Sequence, residues 1–289
     1  MQKGSSSRKI RPAQKQNRPG KESKMIPVPV SDYPDRRGSG KLNNKVALIT
    51  GGDSGIGKAV AILFAKEGAD IAIAYLSETG DARDTADTII NTYGRKCLLI
   101  KGDLSKEKHC RVVIKKTVQQ FSRLDILINN AALHFENKSI TGISTASLRK
   151  TFDTNIISFF WITKAAIPHL KKGSCIINSS SVTAYRGSAA LIDYASTKGA
   201  IVSFTRSLSA NLAKKSIRVN GVAPGPIWTP LIPSSFKPGK AAKHGSDVPL
   251  QRAGQPAEIA PCYLFLACED SSYMTGQFLH PNGGEIVNG

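Results

Sequence analysis

The chain has 289 residues, 40% of them hydrophobic and 21% charged, with a formal net charge of +19. This is long and apolar enough to bury a full core, and it excludes collagen, coiled coil and wholly disordered chains. No apolar run approaches the roughly 18 residues of a membrane span and no apolar h-region follows Met1, so a soluble protein outside the usual secretory route is expected.

Residues 1–40 stand apart. They carry ten basic and three acidic residues, with prolines at 12, 19, 27, 29 and 34. Such a segment buries too little apolar area to offset its ordering entropy, which predicts a flexible or surface-draped arm. From Lys41 the pattern changes. Val46–Thr50, Ile71–Tyr75, Cys97–Lys101, Ile126–Asn129, Cys175–Asn178, Ile217–Val222 and Gln277–His280 read as strands, several apolar throughout as in strands buried on both faces. Helical patterns lie near 56–67, 82–93, 105–121, 145–171, 191–213 and 257–268. This alternation predicts one doubly wound Rossmann-type α/β domain over 41–289, a seven-stranded, mostly parallel sheet with helices on both faces. The stretch 225–250 holds five prolines and reads as a substrate loop, with Trp228, Leu231, Ile232 and Phe236 available to wall a partly apolar pocket.

The first strand runs into Thr50-Gly51-Gly52-Asp53-Ser54-Gly55-Ile56-Gly57 and then a helix. Glycines between a strand and a helix N-terminus let the backbone approach a diphosphate, whose charge the N–H groups and the helix dipole favour. Dinucleotide folds often close the second strand with an acid that holds the ribose hydroxyls. Here that position is Tyr75, followed by Leu76 and Ser77. The missing acid leaves room for a 2′-phosphate, whereas Asp53 in the turn tends to repel one. The balance leans slightly toward NADP over NAD.

Tyr194 and Lys198 are four residues apart and share a helix face, and Ser181 lies thirteen residues before the tyrosine. A phenol is a poor proton shuttle at neutral pH, and a neighbouring ammonium favours its ionised form. Tyr194 is thus a candidate general acid/base for a substrate oxygen, with Ser181 hydrogen-bonded to the same oxygen.

These motifs resemble the short-chain dehydrogenase/reductase family. The match extends over about 41–289: the turn Thr50–Gly57, Asp103-Leu104 after the third strand, Asn129-Asn130-Ala131 after the fourth, the Ser181, Tyr194 and Lys198 set, and Pro224-Gly225 after the sixth. Asn155 matches the family's fourth catalytic residue. The resemblance implies that Lys198 holds the nicotinamide ribose and tunes Tyr194, and that Asn155 supports a water relay from Lys198. It also implies that Asp103 and Leu104 contact adenine and that Ile227 and Thr229 lie near the nicotinamide. A narrower likeness, carried by the glycine turn, Leu279–Gly284 and the Pro-rich arm, is to the glucose/ribitol-dehydrogenase-like or aldehyde-reductase branch. Ala132 departs from the family's usual glycine and adds a methyl where backbone approaches cofactor.

The expected activity is interconversion of an alcohol and a carbonyl on small aldehydes, ketones or sugar polyols. A 3-oxoacyl-carrier-protein reductase is the second enzyme reading, because the basic surface suits an acidic carrier. The third reading is a non-catalytic NAD(P)-sensing or nucleic-acid-binding protein. The arm has one aromatic residue, Tyr33, so a stacking platform for nucleic acid is poorly supported. Five cysteines without a CxxC pair read as reduced thiols in the cytoplasm, and five scattered histidines show no metal-ligand spacing. No membrane association is expected. Family likeness points to a homo-oligomer, a tetramer.

Overall fold

The computed structural model describes residues 8–287. Seven parallel strands form one sheet in the order β3-β2-β1-β4-β5-β6-β7. They are β1 (Val46–Thr50), β2 (Asp70–Tyr75), β3 (Cys97–Lys101), β4 (Ile126–Asn129), β5 (Cys175–Ser179), β6 (Arg218–Val222) and β7 (Phe278–Leu279). Each agrees with its sequence expectation to within two residues at either end. The alternation of side chains splits the core into two layers. Ile49, Ile73, Ile128 and Ile177 face α1 (Gly55–Lys66) and α10 (Pro256–Ala267), where Phe64, Tyr263 and Leu266 are buried. Leu48, Ala72, Leu127 and Ile176 face α3 (Glu107–Phe121), α5 (Ser158–Ala166) and α7 (Ile192–Leu212). Strands that must satisfy two apolar layers are apolar throughout, which explains their sequence pattern.

The chain winds outward from β1 to β3, then returns to place β4 on the other side of β1. That reversal opens a crevice at the carboxyl ends of β1 and β4, the place where such sheets bind ligands.

Three expectations need correction. The pattern over 145–171 is not one helix. It runs as α4 (Thr145–Phe152), a π turn at Asp153–Ile157, then α5, and a 3₁₀ turn at Ile167–His169 in which Pro168 stops further α-helix. The predicted second helix begins at Thr79 as α2 (Thr79–Asp87) and ends in a π turn at Thr88–Thr92. The stretch 225–250 is not wholly irregular, since it carries α8 (Leu231–Ser235) and α9 (Pro238–Lys243). Proline at the first position of α9 is compatible with helix because that N–H has no intrahelical partner anyway.

Candidate active site

The turn after β1 is held from the neighbouring strand. The Asn130 amide donates to the carbonyls of Thr50 at 3.1 Å and Gly51 at 3.3 Å, and the Thr50 hydroxyl accepts from the backbone N–H groups of Asn130 and Ala131. A Cβ on Gly57 would lie 1.9 Å from the Gly51 carbonyl oxygen, so only glycine permits this contact of helix and turn. Gly57→Ala is accordingly expected to distort the cradle. A thermal-shift titration with NADPH will show at least about tenfold weaker binding, and unchanged affinity would separate the turn from cofactor binding.

The turn borders a cleft of about 630 Å³. Gly51, Asp53, Ser54, Gly55, Ile56, Tyr75, Asp103, Leu104, Ala131, Lys198, Pro224 and Thr229, expected as cofactor contacts, all line it. Gly57 supports it from beneath, and Gly225 and Ile227 line the cavity next to it. Asn129 lines neither. Its amide donates to Asn178 at 2.9 Å and Thr163 at 3.2 Å, a buried polar ladder tying β4 and β5 to α5. Burial, with the negative charges of Asp81 and Glu22 close by, raises the Asp53 carboxyl to about 6. Near neutral pH it is still mostly ionised, so it remains a repulsive neighbour for a phosphate and loses its charge only below about pH 6.

The adjoining cavity, about 660 Å³, meets the cleft at Ile56, Ser180, Tyr194, Pro224, Thr229 and Leu231. Tyr194 thus stands at the junction. Ser181 lies near enough to the Tyr194 hydroxyl to favour the ionised phenol, and the Ser181 oxygen accepts from the Thr183 N–H at 3.2 Å. One turn further along α7, the Lys198 ammonium lies 5.4 Å from the Tyr194 ring centre and donates to the Ser179 carbonyl at 2.7 Å. Both side chains are enclosed, and enclosure outweighs the attraction expected between them. Burial pushes the Tyr194 phenol up to about 12, against the pull of Ser181, and pushes Lys198 down to about 7.

Asn155 does not enter either cavity. The π turn directs its side chain to the loop after β4, where it accepts from the Leu133 N–H at 2.9 Å and donates to the Leu133 carbonyl at 2.8 Å and to Thr197 at 3.2 Å. Its side chain ties that loop to α7. Trp228 also departs from expectation. It is fully buried against Met25, and its indole N–H donates to the Pro27 carbonyl at 2.8 Å. Leu231, Ile232 and Phe236 do wall the second cavity.

Sequence reasoning missed His134. Its ring packs edge-on to Tyr194 and against Phe236, each at 5.1 Å between centres. Burial, aided by the Arg18 cation, pushes it down to about 3, so the imidazole is neutral, and its Nδ1 has no partner. The position follows Asn129-Asn130-Ala131 by three residues, a signal visible only once that motif is placed at the cleft.

A model described as enoyl-(acyl carrier protein) reductase matches residues 51–285. The chain belongs to the short-chain dehydrogenase/reductase family. It is an oxidoreductase of the nicotinamide-dependent kind. It is 58% identical over 277 residues to the uncharacterized oxidoreductase YhdF of Bacillus subtilis (strain 168), covering 96% of each chain. It is 52% identical over 282 residues to NADPH-dependent aldehyde reductase 1, chloroplastic, of Arabidopsis thaliana, covering 95% of this chain and 98% of that one. Among solved structures, a short-chain dehydrogenase from Burkholderia cenocepacia J2315 in complex with NADP superposes with a TM-score of 0.79 at 29% identity, over 84% of this chain and 98% of that one. Among the described residues, no helix is long and apolar enough to cross a membrane.

Proposed function

We propose that the protein interconverts an alcohol and a carbonyl on small aldehydes, ketones or sugar polyols, with NADP(H) as the preferred cofactor. The observation that carries this reading is the place of Tyr194, lining both cavities where they meet and close to Ser181. A bound nicotinamide supplies or accepts the hydride. Tyr194 gives its proton to the nascent alkoxide in reduction and takes it back in oxidation. Ser181 hydrogen-bonds the substrate oxygen, and the neutral His134 offers a second hydrogen-bonding nitrogen. Lys198 holds the cofactor's ribose and favours the ionised phenol, while Asn155 supports the relay behind it through the backbone of its π turn. Asp103 and Leu104 receive the adenine, and Ile227 and Thr229 the nicotinamide. The NADP preference is supported by the missing acid at Tyr75 and by the names of the relatives above.

Residues 41–289 act as one catalytic domain, with 225–250 as the substrate loop. Five free thiols fit a reducing cytoplasm, and family likeness supports a homotetramer.

A 3-oxoacyl-carrier-protein substrate is the second reading, favoured by the +19 charge, which suits an acidic carrier, and by the acyl carrier protein named in the description of the matching family model. One assay separates them. Aldehydes, ketones, sugars and a carrier-bound 3-oxoacyl thioester are each offered with NADPH and with NADH, following nicotinamide absorbance. Turnover of a small carbonyl, faster with NADPH, is the expected result. Turnover of the carrier thioester alone, falling steeply with salt, would establish the second reading instead.

A further inference from the structure

We propose that the N-terminal arm completes the dinucleotide cleft and that Arg18 is a cofactor-binding residue, its guanidinium serving the diphosphate. This rests on the cofactor reading above.

The arm is attached on both sides of the crevice. At its start, the Ile10 N–H donates to the Ala242 carbonyl at 2.9 Å, and Arg11 reaches the His244 carbonyl at 3.1 Å. The Gln16 N–H then donates to the Pro233 carbonyl at 3.0 Å, fixing the chain to α8. Six residues later the arm reaches the glycine turn. There the buried Glu22 carboxylate accepts the Gly55 N–H at 2.7 Å and pairs with Lys58 at 2.9 Å, and the Glu22 N–H donates to Asp81 at 2.7 Å. Beyond it Met25 is buried with Trp228, Ile232 and Phe236.

Arg18, Pro19 and Gly20 are the stretch between these two anchors, and all three line the cleft. Gly20 lies so close to the loop after β6 that a Cβ would sit 2.4 Å from the Pro230 carbonyl oxygen. Arg18 reaches the opposite wall, with its guanidinium carbon 4.3 Å from the centre of the Phe135 ring in the loop after β4. The arm therefore spans the mouth of the cleft from one wall to the other.

The charges show why a cation is needed there. A helix N-terminus after a glycine turn ordinarily offers free N–H groups and positive dipole to a phosphate. Here Glu22 already takes the Gly55 N–H and brings a carboxylate to that end of α1. Asp53, Glu78 and Asp103 line the same cleft. Of the three cations lining it, Lys150 pairs with Asp103 at 3.4 Å and Lys198 is buried beside the tyrosine. Arg18 packs on Phe135, and burial alone lowers its guanidinium, with no acid raising it. A planar guanidinium pairs with phosphate oxygens through two parallel N–H bonds. Its place beside Phe135 and its effect on His134, the neighbour of Tyr194, set it apart from the Tyr75 end of the cleft. That separates it from the 2′-phosphate position and assigns it the diphosphate.

Titrations of wild type, Arg18→Ala and Arg18→Lys test the proposal, with NADPH and NADH followed by reduced-nicotinamide fluorescence and ADP and adenosine by calorimetry. Arg18→Ala is expected to weaken NADPH, NADH and ADP by about tenfold, the loss of a charge-assisted hydrogen bond, while adenosine is unchanged. Arg18→Lys recovers part of the loss. A melting temperature equal to wild type in both variants confirms an intact fold. Unchanged NADPH and NADH affinities, a loss confined to NADPH, or an equal loss for adenosine would each overturn the assignment. A wild type that binds neither nicotinamide would bring down the cofactor reading itself and this proposal with it.

Discussion

Tyr194→Phe is expected to lower kcat for carbonyl reduction by about 10²- to 10⁴-fold, the usual worth of a positioned general acid. NADPH affinity should stay within about threefold, because the substitution removes one hydroxyl and leaves the ring on His134. The phenol is held up to about 12, so at neutral pH it carries the proton that reduction consumes. Reduction by the wild type should therefore be level through neutral pH and fall only in strongly alkaline solution, as the donor is lost. Oxidation needs the phenolate and should rise with pH across the same range. Nicotinamide-absorbance kinetics on both proteins check this, and a variant with wild-type kcat would remove Tyr194 from the chemistry.

Lys198→Met is expected to separate activity from stability. Lys198 is 2% exposed, and its ammonium donates to the Ser179 carbonyl. Burial depresses it from 10.5 to about 7. Between these values the unfolded chain holds a proton on Lys198 that the folded chain does not, so this group makes stability rise with pH across the window. Below pH 7 its penalty is present in full. Methionine matches the length of the stem and carries no charge. The variant should melt roughly 3 °C or more above wild type at pH 6–7, a difference that shrinks toward pH 10. Its kcat should fall at least about 10²-fold. NADPH affinity should fall too, since the ribose loses a partner. Unfolding curves at three pH values and a fluorescence titration give the measurements. A variant less stable than wild type at pH 6 would show that burial does not penalise Lys198, and unchanged NADPH affinity would refute the ribose role.

Much of the lining of the two cavities is legible in the sequence. The glycine turn, Ser181 and the Pro224-Gly225 pair each follow a strand end at short range, and Tyr194 and Lys198 share one face of α7. In an alternating α/β chain, strand ends gather at one edge of the sheet. Asn129 and Asn155 share that locality, but position along the chain did not reveal what their side chains touch. Asn129 faces a neighbouring strand and a helix, and the extra residue of a π turn redirects Asn155 to a backbone loop. From the sequence Trp228 reads as a pocket wall, because its burial depends on Met25, 203 positions earlier in the chain.

The sequence by itself determined the layer order, the seven strands and the glycine turn between β1 and α1, because periodicity and βα turns are local consequences of residue type. Tertiary structure alone decided the balance of charge. It set Glu22 on the glycine turn, Arg18 over Phe135 and His134 against Tyr194. It also made burial outweigh the Lys198 ammonium at the phenol. Desolvation and charge pairing depend on which distant segments meet, and spacing along a chain carries no record of that.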